Sequence, residues 1–125
     1  MKHVRHYTLD EANASLGWVQ EAIASLREAR MSLSDEEARE ALAEAGPQNG
    51  GGDPGRLVSE AFLQLRAALA QFQEAEVVLR DLERGLVDFP ALRDGREVYL
   101  CWIEGEDEIG YWHDLEAGFA GREPL

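Results

Sequence analysis

The residues best suited to chemistry lie in the last third of the chain. His113-Asp114 sets an imidazole beside a carboxylate. Histidine ligates metals or shuttles protons near neutral pH, and a carboxylate can ligate the same ion or orient the ring. Glu106, Glu108 and Cys101 fall on the same expected hairpin. A divalent ion held by His113, Asp114 and Glu108, with Glu106 as ligand or base, would bring the pKa of a bound water to about 7, the chemistry of a metal-dependent hydrolase. One histidine falls short of the usual zinc set, so an acidic magnesium or manganese site is the more consistent version. Strand geometry stands against it. Adjacent strand residues point to opposite faces, so His113 and Asp114 meet one ion only where the strand ends between them. The plainer reading makes His113 a partly buried histidine bonded to backbone, and Asp114 the cap of the next turn.

Arg122 follows Gly118-Phe119-Ala120-Gly121. Its guanidinium can clamp a carboxylate with two parallel bonds, and Asp88 or Asp114 would serve as internal partners. Arg5 is open to the same two readings, a bound ligand or an internal pair. Trp112 and Trp102 suit a pocket wall or, at strand spacing, the core. Cys101 sits mid-strand between Leu100 and Trp102 and reads as a small core residue, with no Gly-x-Ser-x-Gly elbow to support nucleophilic catalysis. The acidic run Glu104 to Glu108 lacks calcium-loop spacing and reads as a solvated turn. His3 and His6 read as surface histidines.

These residues need elements to position them. Thr8 with Glu11 forms a capping box that starts a helix near residue 9. Ala12, Leu16, Val19, Ile23, Leu26 and Leu33 then recur at alternating spacings of four and three, the narrow seam of a coiled coil. Ser34-Asp35-Glu36-Glu37 offers a second capping box, where the helix kinks or restarts. Gly46-Pro47 through Asp53 supplies a hairpin connector; no preceding strand or following lysine supports a phosphate loop. Asp53-Pro54 opens a second helix that buries Ala61, Leu65, Ala68, Phe72 and Ala75, with Val58, Phe62 and Leu69 widening the stripe. Residues 76–82 read as helix or strand. Leu86–Phe89, Val98–Ile103 and Ile109–His113 read as strands, separated by Asp94-Gly95 and the acidic turn. The fold class is therefore α+β. A long antiparallel helical hairpin over about 9–75 precedes a small antiparallel β-meander of three or four strands over about 76–125, all in one domain, with a further N-terminal strand near Val4 also compatible. A five-residue loop in the last hairpin sets Cys101 opposite Tyr111 and Tyr99 opposite His113. Both faces of that hairpin are apolar, which points to a second subunit or a ligand over the face the helices do not cover.

The balance of 25 acidic against 12 basic residues gives a formal charge of −13. Such a chain repels phosphates, which disfavours nucleic acid and anionic membranes and favours cations and basic partners. No apolar run approaches the ~20 residues of a membrane-spanning helix, the lone Cys101 forms no internal disulfide, and no secretory leader is visible. Together these make the cytoplasm the expected location.

Several stretches resemble a known family: Arg5 with Tyr7-Thr8 and Glu11-Ala12-Asn13, then Gly85-Leu86-Val87-Asp88-Phe89-Pro90, Leu100-Cys101-Trp102, Gly105-Glu106, Ile109, Trp112-His113-Asp114, Gly118-Phe119 and Gly121-Arg122. They are similar to the uncharacterised bacterial domain-of-unknown-function 2203 family over nearly the whole chain. The resemblance implies a fold and carries no activity. The function expected from the residues is a non-enzymatic protein-interaction or ligand-binding module acting as a homodimer. The alternative is the metal-dependent hydrolase around His113 and Asp114.

Overall fold

A computed structural model of the chain describes residues 1–33 and 53–125. Two helices come first, α1 (Leu9–Leu33) and α2 (Asp53–Ala75). Five strands follow, β1 (Val78–Asp81), β2 (Leu86–Arg93), β3 (Arg96–Ile103), β4 (Tyr111–Asp114) and β5 (Glu123–Pro124), with one 3-10 turn at Phe119–Gly121. The strands form a single antiparallel sheet in chain order. The architecture is the expected α+β arrangement, a helical pair and then a meander, extended to five strands by β1 and the short β5. The second capping box at Ser34 and the glycine-rich connector lie outside the described residues.

The capping box forms as read. Glu11 N–H donates to Thr8 Oγ1 at 3.1 Å and Thr8 N–H donates to Glu11 Oε1 at 2.8 Å. Along α1 the buried residues are Ala12, Leu16, Val19, Ala22, Ile23, Leu26 and Ala29. Ala22 and Ala29 widen the expected seam into the stripe of a globular helix, which covers the sheet as well as α2. The helices run antiparallel: Trp18 stacks at 5.5 Å on Phe72, and Gln64 Nε2 donates to the Ser25 carbonyl. Phe62 and Leu69 stay about half exposed, so the outer stripe of α2 is not covered among the described residues.

Residues 76–82 resolve into a helix stop and a strand. Glu76 takes a left-handed φ of 55°, Val77 N–H donates to the Phe72 carbonyl and Glu76 N–H to that of Gln73, the bonding pattern of a Schellman end. A non-glycine residue is unusual there, and the Glu76 carboxylate has a compensating use. It accepts the N–H groups of Val4 and Arg5 at 3.1 and 2.8 Å.

The sheet has two buried faces. The inner one, Val87, Phe89, Ala91, Val98, Leu100, Trp102 and Trp112, packs on the helices as the core. The outer one carries Asp88, Tyr99, Cys101 and His113, all at 2% exposure or less. The chain covers this second face itself. Residues 2–6 cross it as a strap, with the Lys2 and His3 N–H groups and the His6 ring bonded to Glu97. The strap then turns inward at Tyr7, whose N–H donates to the Pro90 carbonyl at 2.7 Å beyond the end of β1. At the other end the 3-10 turn brings Phe119 and Arg122 back over the sheet, with Arg84 and Tyr111 stacked on them. The uncovered sheet face that pointed to a second subunit is thus filled from within.

The strap gives a pH-dependent expectation. The bond from His6 holds the Glu97 carboxyl down to about 2 from 4.5, helped by the His3 and Lys2 amides against the opposing effect of burial. A carboxyl lowered in the fold stabilises it above the unfolded value, and that contribution fades as pH falls from 4.5 toward 2. The protection of the Lys2 and His3 amides, taken relative to their intrinsic exchange rate, should therefore fall over that window, and Glu97→Gln should lower it already at neutral pH. Equal protection in the variant would show that Glu97 does not hold the strap.

Candidate metal centre

Three adjacent strands supply one cluster on the outer face. The turn between β2 and β3 has two residues, Asp94 and Gly95, with φ of 53° and 77°, the positive pair that a tight twisted hairpin requires. It pairs Arg93 with Arg96, and counting back along the ladder sets Asp88 opposite Cys101. The β3–β4 pairing sets Cys101 opposite Tyr111 and Tyr99 opposite His113, the register expected from the sequence. Asp88, Cys101 and His113 therefore share one face, and their oxygen, sulfur and nitrogen atoms all lie within 4.8 Å of one another.

The hydrogen bonds fix how His113 is presented. Its Nδ1 lies 2.7 Å from the Asp114 carbonyl. A carbonyl only accepts, so Nδ1 carries a proton and donates it. That leaves Nε2 facing Asp88 Oδ1 at 3.0 Å. The other Asp88 oxygen accepts Arg80 Nε at 2.9 Å, and the Arg80 guanidinium lies over the Tyr99 ring. Histidine metal ligands characteristically donate their second nitrogen to a carbonyl or carboxylate in this way, which fixes the tautomer and aims the ring. Ligand pairs on a tetrahedral ion at 2.0–2.3 Å stand roughly 3.3–3.6 Å apart. The Asp88–His113 spacing is about 0.3 Å short of that, so an ion replacing the shared proton needs only a small parting of the two side chains. Burial pushes the Cys101 thiol up to about 12, the neighbouring Asp88 carboxylate adds to the rise, and Arg122 opposes it. Cys101 is therefore a protonated thiol unless a cation takes the proton's place.

The other candidates are placed differently. Asp114 points to the opposite face, half exposed, and pairs with Arg96 at 3.1 Å. The strand does not end between His113 and Asp114, so the alternation rule holds and the two carboxylate and imidazole groups do not converge. Glu108 is exposed on the loop. Glu106 accepts the Ile103 N–H at 2.9 Å and both its oxygens accept Arg122 Nη2, at 2.9 and 2.7 Å. The internal salt bridge foreseen for Arg122 is therefore made with Glu106, not with Asp88 or Asp114. Trp112 belongs to the core, 8% exposed beneath Arg93. Arg5 lies over the Tyr7 ring and belongs to the strap. His6 and His3 are also built into the strap, with His3 Nε2 at 2.6 Å from the Tyr99 hydroxyl.

Cys101 is the member of this cluster that sequence reasoning set aside. Its signal was the Asp94-Gly95 dipeptide: a two-residue turn there fixes the β2–β3 register and brings Asp88 across from it.

The family model of an uncharacterised conserved protein, DUF2203, matches residues 5–125. Comparison with curated proteins and with solved structures returns no match. The stretches around Asp88, Cys101 and His113 that carried the sequence resemblance are the ones that meet on the outer face of the sheet. The chain belongs to the DUF2203 family of uncharacterised conserved proteins.

Proposed function

We propose that the protein is a metal-binding module. Asp88, Cys101 and His113 hold one borderline divalent ion of the zinc class on the outer face of the sheet. The observation that carries this reading is the convergence of three different buried donors, within 4.8 Å, around a histidine whose second nitrogen is already bonded to a carbonyl. A sulfur, nitrogen and oxygen set favours zinc or cobalt over magnesium or manganese, so the thiol changes the metal class that His113 with acidic residues alone suggested. The bound ion joins β2, β3 and β4 and neutralises the carboxylate and thiolate.

Three protein ligands is also the count of catalytic zinc sites, which keep a fourth position for substrate. The main surface grooves among the described residues are lined by other residues, and the three donors are at most 2% exposed. This supports a structural or sensing ion in a non-enzymatic protein over the hydrolase.

Elemental analysis of tag-free protein purified with zinc in the buffer tests the reading. About one equivalent is expected in the wild type, with loss from Cys101→Ser and His113→Gln while circular dichroism stays native. Wild type without metal, and with the same Tm with and without added zinc, would contradict it.

A further inference from the structure

The sheet's open edge carries a second feature, separate from the metal centre. A groove of about 430 Å³ runs beside β1, lined among others by His3, Leu69, Phe72, Glu76, Val78 and Leu79. Val78 is paired with Asp88 and Leu79 with Val87, so these two side chains belong to opposite faces of the sheet. A cavity touching both lies along the edge of the strand. β1 is the end strand of the sheet, so its outward edge carries no further strand among the described residues. Such an edge is a template for another extended chain.

The surroundings specify what kind of chain. Phe72 and Val77 form a buried apolar floor, and Leu69 stands as a wall 42% exposed. That space suits one aliphatic side chain of a strand. At one end Glu76 presents a carboxylate kept ionised by the amides of Arg5 and Val4, and Asp81 closes β1 at the other end. The whole chain bears −13 charges. Complementary charge therefore comes from lysine or arginine.

We propose that β1 takes an extended segment of a basic partner protein as a further strand of the sheet. Its main chain bonds the open edge, an aliphatic side chain fills the space between Leu69 and Phe72, and a flanking basic residue reaches Glu76. This site shares no residue with the metal ligands, so either reading can fail alone.

The test uses the full chain and the capped peptide Lys-Val-Ile-Val-Lys, titrated by NMR. Saturable shifts are expected at the amides of Val78–Asp81, with binding weakened roughly tenfold by N-methylation of alternate peptide amides and by Leu69→Asp. A Glu-Val-Ile-Val-Glu peptide should bind at least roughly tenfold more weakly still at low salt. Equal binding of the N-methylated or the acidic peptide, or no saturation by millimolar concentration, would overturn the proposal. So would a wild-type dimer that Leu69→Asp dissociates, since a second copy would then own the edge.

Discussion

Asp88→Ala should destabilise the protein by about 3–5 kcal/mol in urea or thermal unfolding, a large share of the ~5–15 kcal/mol that holds an ordinary fold together. Asp88 is 2% exposed and accepts from His113 on one oxygen and from Arg80 on the other. Truncation leaves a 1% exposed imidazole and a guanidinium against Tyr99 without their shared acceptor. Removing one partner of a buried charged pair costs far more than the pair contributes in total, because the survivor keeps its desolvation penalty. Asp88→Asn retains one acceptor oxygen and should cost about half as much. A loss below about 1 kcal/mol for the alanine variant would mean that the outer face is held by the strap and the C-terminal turn, with the polar cluster a passenger.

Trp102→Ala is the second large effect, also about 3–5 kcal/mol. The ring is fully buried among the inner-face residues, and its truncation leaves a cavity that rigid neighbours close only in part. The indole has another task. Its Nε1 donates to the Glu106 carbonyl at 2.9 Å, folding the acidic turn back against the sheet. Glu106 in turn positions Arg122 over Tyr111. Trp102→Phe separates the two contributions: most of the volume stays, the bond is lost, and a cost of about 1–2 kcal/mol is expected. Should the phenylalanine variant be as unstable as the alanine one, the hydrogen bond to the turn would outweigh the packing.

Local signals made much of this fold legible. The Thr8–Glu11 box and the register of Tyr99 with His113 depend on residues close in sequence or on strand alternation, and both formed as read. Along α1 the expected positions Ala12 to Leu26 are buried, Leu33 is only partly so, and Ala22 and Ala29 add a wider stripe. What failed depended on distant partners. Whether Glu106 or Asp88 meets Arg122 is decided by how the C-terminal turn crosses the sheet, and no spacing encodes that. The strap is similar: His3 and His6 looked like surface residues because Glu76, Glu97 and Tyr99, their partners, lie some 70 to 96 positions away. Residues 76–82 were ambiguous because Glu76 stops α2 in a left-handed conformation without being glycine, and its anchoring contacts come from Val4 and Arg5. The proposed metal ligands fall between these cases. His113 and Asp88 were among the candidates, but the pairing of His113 with Asp114 conflicted with alternation, and Cys101 needed the two-residue turn at Asp94-Gly95 to be carried through as a register.

The proposed metal centre requires Cys101 to become a thiolate ligand together with His113 and Asp88. Its most direct test is the absorption spectrum of the protein titrated with cobalt(II). A thiolate-to-cobalt charge-transfer band and intense tetrahedral d–d bands that saturate near one equivalent are expected, with the charge-transfer band absent in Cys101→Ser. A spectrum of hydrated octahedral cobalt, unchanged by the protein, would contradict it and leave Asp88, Cys101 and His113 as a buried structural cluster.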